Sequence, residues 1–251
     1  MKAMILAAGK GTRLGHLTNH LPKPMLPLGG RPLLEHIVEL LRRHNLIDIA
    51  INLHHQPDAI LRHFGSGEVW GVRLRYSYEA SLLGSAGTAL RHLAWVHPDP
   101  FVVYYGDVYS DVNLSEMIAA HLCGGMSATI AVHQVADPSQ CGIVEFDRAG
   151  RALRFVEKPR PDQVFSNWAN SGIYVLSPEV LRFVTDIPAD FGHDVFPAAL
   201  AAGWDIQVYP VRTPLIDIGT PENYRLAQQL LDPAAAARSA LERIDITPAA
   251  A

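Results

Sequence analysis

Over its first 110 residues the chain alternates short apolar runs with stretches of helical periodicity, and no other feature restricts the fold as strongly. The strand candidates are Ala3 to Ala7, Asp48 to Leu53, Val72 to Ser77 and Phe101 to Tyr105. Between them a helix is expected from Pro32 to His44, with Leu34, Ile37, Val38 and Leu41 on one face, and another starting near Ala86. Strands that alternate with helices form a parallel sheet covered on both faces. Past residue 110 the rhythm loosens into a helix at Asn113 to Leu122 and β-like stretches at Ser127 to Val135, Gly142 to Phe146, Ala152 to Glu157 and Ser171 to Leu176. Polar turns such as Asp147 to Gly150 join several of these, which favours antiparallel pairing there. The expected fold is therefore α/β: a Rossmann-like, doubly wound, mixed but mainly parallel sheet with helices on both faces. One domain is expected over residues 1–231, divided near 110, followed by an alanine-rich helix or tail at 232–251.

Composition removes several function classes. Lys and Arg total 21 against 25 Asp and Glu, a net charge of −4, so no broad electropositive surface is available for a nucleic-acid backbone. Any phosphate site must be local. Cys123 and Cys141 have neither metal-site nor disulfide-framework spacing and are read as small buried packing residues, fitting a reducing compartment. No apolar stretch reaches the roughly 18 residues that span a bilayer, and the N-terminal run breaks at Gly9, so a cytoplasmic protein without membrane partners is expected.

The strand Met4-Ile5-Leu6 runs into Ala7-Ala8-Gly9-Lys10-Gly11-Thr12-Arg13-Leu14, which puts small residues at a strand's carboxyl end, where open α/β sheets bind ligands. Glycines let backbone N–H groups approach phosphate or base, and Lys10 and Arg13 can neutralise charge. Neither the P-loop nor the dinucleotide fingerprint fits. Pro22, Pro24 and Pro27 should hold the next segment extended until Pro32 opens the helix, with Lys23 placed as a second cation. LAAGKGTRL followed by LPKPMLPLGGRPLLEH resembles the N-terminal signature of the sugar-1-phosphate nucleotidyltransferases, the nucleotide-diphospho-sugar pyrophosphorylases. The resemblance continues through LLGSAGTAL, YYGDV, FVEKP, NSGIYVLSP and IDIGTPENY, to about residue 230.

That resemblance implies the nucleotide-diphospho-sugar transferase fold and Mg²⁺-dependent transfer of a nucleoside monophosphate from an NTP to a sugar 1-phosphate, releasing pyrophosphate. It implies a nucleotide-binding half at 1–110 and a sugar-binding half at 111–231. Two anions must meet in this reaction, so neutralisation and in-line positioning carry the catalysis. By resemblance Arg13 lies against the pyrophosphate, Lys23 near the α-phosphate, and Asp107 and Asp217 share the metal. An aspartate at the end of a buried strand, as at 107, is otherwise costly, and hard carboxylate oxygens suit Mg²⁺. Asp111 is read as the cap of the helix starting near Asn113. Nucleotide contacts are expected from Leu6, Ala8, Gly9, Gly11, Thr12, Arg13, Lys23, Glu79, Gly84 and Ser85, with Asn52, His54 and His55 flanking. Adjacent histidines do not present themselves to one metal, so zinc is rejected. Sugar contacts are expected from Gly142, Glu157, Lys158, Asn170 and Ser171.

GTP with a mannose-like or heptose 1-phosphate is the leading substrate pair, with uridylyl or thymidylyl transfer as the near alternative. The chain's short form favours a bare catalytic domain, and its alanine-rich end could serve homo-oligomer packing. A metal-dependent glycosyltransferase would explain Asp107 to Asp111 but leave Arg13 and Lys23 without a task. A non-catalytic nucleotide-sugar-binding regulatory protein would not need Arg13, Lys23, Asp107, Lys158 and Asp217 together.

Overall fold

The computed structural model describes residues 1–231. The tail at 232–251 lies outside the described residues. In chain order the strands are β1 (Lys2–Leu6), β2 (Pro27–Leu28), β3 (Arg31–Pro32), β4 (Asp48–Leu53), β5 (Arg73–Tyr78), β6 (Phe101–Tyr105), β7 (Val108–Ser110), β8 (Ala128–Gln134), β9 (Gly142–Phe146), β10 (Ala152–Glu157), β11 (Trp168–Leu176), β12 (Ile206–Pro210) and β13 (Leu215–Asp217). The α-helices are α1 (Leu33–Arg43), α2 (Pro57–Phe64), α3 (Gly84–Arg91), α4 (Leu93–Val96), α5 (Leu114–Gly124), α6 (Phe196–Ala201) and α7 (Pro221–Leu231).

Nine strands form the central sheet, ordered β10-β9-β11-β6-β1-β4-β5, with β8 pairing β11 and β12 pairing β8. β6, β1, β4 and β5 run parallel, and β11 joins antiparallel to β6. Alternate residues of the parallel strands supply two different cores. Ala3, Ile5, Ile49, Ile51, Val102 and Tyr104 face one, and Met4, Ala50, Phe101 and Val103 face the other. That division is the doubly wound arrangement expected of the alternating pattern. β1, β4 and β6 are buried on both sides and read as continuous apolar runs, whereas β5 at the sheet edge has no fully buried residue.

α1 buries Leu33, Leu34, Ile37, Val38, Leu40 and Leu41 and carries Arg42 and Arg43 in its last turn, where cations complement the carbonyl end. The expected helix differs by one residue at each end. Lys23 to Met25 forms a short 3₁₀ turn instead of an extended segment. α5 is capped by Asn113, whose side chain accepts from the Glu116 N–H at 3.2 Å. The cap assigned to Asp111 is thereby corrected: Asp111 pairs with Arg43 at 3.1 Å, and a residue three before the helix cannot reach its free N–H groups. Cys123 is exposed and Cys141 half-buried, so the expectation that both are buried packing residues is overturned. Cys123 sits on the solvent face of α5, next to Leu122, which is also exposed.

Strand β11 departs from regular pairing between Asn170 and Tyr174, where its register against β8 shifts. Gly172 sits in that break with a left-handed φ of 68°, and a Cβ there would strike the Tyr105 ring at 2.8 Å. Such bulges re-aim side chains at sheet ends. Here the bulge lies against Tyr105, the last residue of β6.

Candidate active site

The carboxyl ends of β1 and β6 are tied together by the Gly106 N–H, which donates to the Leu6 carbonyl at 2.9 Å. Beyond them the first loop runs through Gly9, Lys10 and Thr12, all exposed, to a 3₁₀ turn from Thr12 to Thr18. Gly11 has φ 65°, and a Cβ on it would stand 2.8 Å from Thr18 Cγ2 and 3.2 Å from Lys23 Cβ. The loop therefore packs directly on the segment that carries Lys23.

Lys23 is 5% exposed. Its ammonium donates to Asp107 Oδ2 at 2.6 Å and to Asp217 Oδ1 at 3.2 Å. Asp107 follows β6, and Asp217 ends β13, which pairs antiparallel with β7 in the register Asp217 to Val108. The Ile218 N–H also donates to the Asp107 carbonyl at 3.0 Å. This two-stranded ribbon is what brings the two aspartates together. The Gly219 N–H donates to Asp217 Oδ1 at 2.7 Å, and Asn223 Nδ2 donates to the Asp217 carbonyl at 2.9 Å. A Cβ on Gly219 would meet Arg13 Nη2 at 2.7 Å, Asp217 Oδ1 at 2.9 Å and Lys23 Nζ at 3.0 Å. Arg13, Lys23, Asp107 and Asp217 thus share one cleft around Gly219. Burial raises the Asp107 pKa above the usual carboxylate value, Lys23 pulls it back in part, and Asp217 pushes it up again.

Two carboxylates whose oxygens converge on one ammonium form a hard-oxygen site that can hold a divalent cation, completed by phosphate oxygens and water. The donor set fits Mg²⁺. Among the described residues no group of three or more His, Cys, Asp or Glu side chains stands together.

A second network lies behind the loop. Asn52, at the end of β4, accepts from the Ala7 N–H at 2.7 Å and donates through Nδ2 to Glu79 Oε1 at 2.9 Å. Thr88 Oγ1 donates to the same Glu79 oxygen at 2.6 Å, and the Leu83 N–H donates to Glu79 Oε2 at 3.2 Å. Glu79 is 1% exposed. Protein donors thus meet both carboxylate oxygens of Glu79, a residue expected to contact the nucleotide, and Asn52 ties it to the first loop through the Ala7 N–H. His54 bonds the Glu79 carbonyl at 2.8 Å, and His55 approaches the Thr18 carbonyl at 3.4 Å. Gly84 and Ser85 turn toward the 189–191 segment. A Cβ on Gly84 would collide with the Ala189 carbonyl, and Ser85 Oγ donates to Asp190 Oδ1 at 2.9 Å.

Glu157 ends β10 beside Gly142, its register partner on β9. Burial raises the Glu157 pKa, with Lys158 offsetting part of the rise. Lys158 is exposed, with φ 45°, a conformation that a non-glycine residue holds only under local constraint. Its N–H donates to the Cys141 carbonyl at 3.0 Å. Asn170 Nδ2 donates to the Tyr174 hydroxyl at 2.8 Å, and Ser171 Oγ lies 3.0 Å from His133 Nδ1. Sequence reasoning missed Gly219, Asp190 and Gly192. The glycine of IDIGT was visible as a motif, but the reason for it is the space it leaves between Arg13 and Lys23.

The model of the nucleotidyl transferase family matches residues 2–232. A UTP–glucose-1-phosphate uridylyltransferase from Synechocystis is 36% identical over 239 residues, covering 89% of this chain and 61% of the relative. A probable mannose-1-phosphate guanylyltransferase from rice is 36% identical over 232 residues, covering 89% and 63%. The chain thus spans about three-fifths of the length of the curated relatives it matches. Among solved structures, HddC from Yersinia pseudotuberculosis complexed with GMP-PN has a TM-score of 0.77 at 25% identity, covering 92% of this chain and 99% of that one. With its strand-end aspartates, its cationic first loop and a family match along nearly the whole described chain, this protein belongs to the nucleotidyl transferase family.

Proposed function

We propose that the protein transfers a nucleoside monophosphate from an NTP to a sugar 1-phosphate with loss of pyrophosphate. The observation that carries this reading is the convergence of Lys23, Asp107 and Asp217 within 3.2 Å, with Arg13 alongside at Gly219. Residues 1–110 form the nucleotide half and 111–231 the sugar half of one catalytic domain. Arg13 lies over the β- and γ-phosphates, and Lys23 exchanges its carboxylate contacts for an α-phosphate oxygen when nucleotide enters. The loop from Leu6 through Ala8, Gly9, Gly11 and Thr12 offers backbone N–H groups to base and phosphates, and the 84–85 turn closes that side. Asp107 and Asp217 would hold Mg²⁺, which when bound would neutralise phosphate charge. Glu157, Asn170 and Ser171 bind sugar hydroxyls beside the Gly142 backbone, and Lys158 draws in the sugar phosphate. The attacking phosphate oxygen is already anionic, so no strong base is needed, and positioning with neutralisation supplies the rate.

GTP with a mannose-like or heptose 1-phosphate is the leading pair, on the likeness to the rice protein and to HddC complexed with GMP-PN. Uridylyl transfer to a glucose-type phosphate is the second reading, favoured by the Synechocystis relative. Pyrophosphate release is measured with MgCl₂ across four NTPs and a panel of sugar 1-phosphates. Turnover with one pair far above the rest is expected, and no release with any pair removes the proposal.

A further inference from the structure

The Glu157 carboxylate lies in a slot between two glycines from distant parts of the chain. A Cβ on Gly142 would stand 2.5 Å from Glu157 Oε2, and a Cβ on Gly192 would stand equally close. Gly142 is the strand neighbour of Glu157. Gly192 comes from elsewhere, on a turn of π-helix from Phe191 to Val195, a rare winding that recurs at functional sites. Its backbone is outside the left-handed region, so alanine is tolerated there apart from what its methyl would touch. The nearest atoms are the Glu157 carboxylate and, at 3.4 Å, the Phe155 ring.

The turn cannot easily retreat. Asp190 accepts from Ser85 N–H and Ser85 Oγ, both at 2.9 Å, and the Phe191 N–H donates to Ser85 Oγ at 2.9 Å. The Ala189 carbonyl accepts from the N–H groups of Ala86 and Gly87 at 2.9 and 3.1 Å. The turn is thus bolted to the start of α3 while its next glycine presses on Glu157. Among the described residues no protein donor stands within hydrogen-bond distance of the Glu157 carboxylate. A half-buried carboxylate without donors is costly unless a ligand supplies them.

We propose that Gly192 is a positioning residue of the sugar pocket: its missing side chain lets the Glu157 carboxylate rest against the π-turn, where it accepts hydrogen bonds from hydroxyls of the sugar 1-phosphate. The inference rests on the nucleotidyltransferase reading. It adds a residue set by space alone, on the turn that also holds the start of α3.

The test compares wild type with Gly192→Ala, using GTP or UTP with α-D-mannose 1-phosphate or α-D-glucose 1-phosphate and MgCl₂. The expected result is a fall of at least tenfold in kcat/KM for the sugar phosphate, with the KM for nucleotide within twofold and the thermal midpoint held. In a Glu157→Ala background the same alanine should cost nothing, because its methyl enters vacated space. Glu157→Asp, shorter by one methylene, should restore part of the loss in the Gly192→Ala protein. An unchanged kcat/KM, or an equal penalty with and without Glu157, overturns the proposal. A wild type that releases no pyrophosphate sinks the functional reading instead. The crystal structure of Gly192→Ala then still decides: displacement of the carboxylate from its slot is expected, and an unmoved carboxylate refutes the role.

Discussion

Lys23 and Asp107 stand 2.6 Å apart, nitrogen to oxygen, although 84 residues of chain separate them. The lysine is buried, and among the described residues its partners are two carboxylates of the proposed metal site, so the ammonium marks the place where positive charge is needed. Phosphate and metal would compete for these same partners. The contact sets one ammonium between two acidic groups that would otherwise repel each other.

Replacing Lys23 by Met removes that charge while keeping most of the buried stem. Turnover should fall about 10²- to 10³-fold, the size typical of losing one preorganised charge contact to a transferring group. Nucleotide affinity, measured by calorimetry without sugar phosphate, should weaken as well. Unchanged affinity would show that Lys23 serves only to hold the aspartates.

Asp217→Asn preserves shape and the oxygen that accepts from the Gly219 N–H at 2.7 Å. The loss should appear in metal dependence: the Mg²⁺ concentration for half-maximal rate rises, and kcat drops roughly 10²-fold or more, about 3 kcal/mol of transition-state stabilisation. The thermal midpoint should move little, since the Asp217 side chain is about half exposed. Asp107→Asn should behave alike. A variant with normal Mg²⁺ response would remove that residue from the metal site.

Much of this arrangement was legible in the sequence because it follows periodicity and strand ends. β1, β4 and β6 are apolar runs with helices between them, Asp107 and Asp217 stand where strands stop, and Arg13 and Lys23 follow in the loops after β1. What escaped has a physical reason in each case. α2 buries only Ile60 and Phe64, too few to repeat a pattern. β7 and β13 are three residues each and matter only because they pair with one another. β12 is a five-residue strand whose parallel partner, β8, lies some eighty residues earlier. Glu79 is expected only as a nucleotide contact, and the fold is what shows Asn52 and Thr88 donating to its carboxylate. The roles of Gly192 and Gly219 are volumes left empty, for which a linear sequence carries no signal.

Asn52→Ala should unsettle the first loop from below. It leaves the Ala7 N–H and one face of Glu79 without partners in a buried site, a cost of about 1–3 kcal/mol. For a chain of this size that lowers the midpoint by roughly 2–4 °C per kcal/mol. The KM for NTP should rise about tenfold while that for sugar phosphate stays put. Asn52→Asp should be worse, because it sets a second carboxylate against Glu79 Oε1, where the donor now lies at 2.9 Å. If the aspartate variant binds nucleotide normally, Asn52 does not position the loop.

His121 predicts a pH dependence of stability that is separate from the active site. It is 1% exposed on α5, with Nδ1 3.0 Å from Thr129 Oγ1 and Nε2 3.3 Å from Ser177 Oγ. Burial lowers its pKa from the usual 6.5 to about 4. The unfolded chain therefore binds this proton more readily than the folded one between pH 6.5 and 4. Stability should be level above pH 6.5 and fall as pH drops through that window, flattening again below the folded pKa. At about 1.4 kcal/mol per pH unit the full loss is at most about 3.5 kcal/mol, and less where water reaches the ring. Denaturant unfolding of wild type and His121→Asn at pH 7.5, 5.5 and 4.5 isolates this share, since the other titrating groups are common to both. The gap between the two proteins should narrow as pH falls. A constant gap would mean that His121 keeps an ordinary pKa and acts through its hydrogen bonds alone.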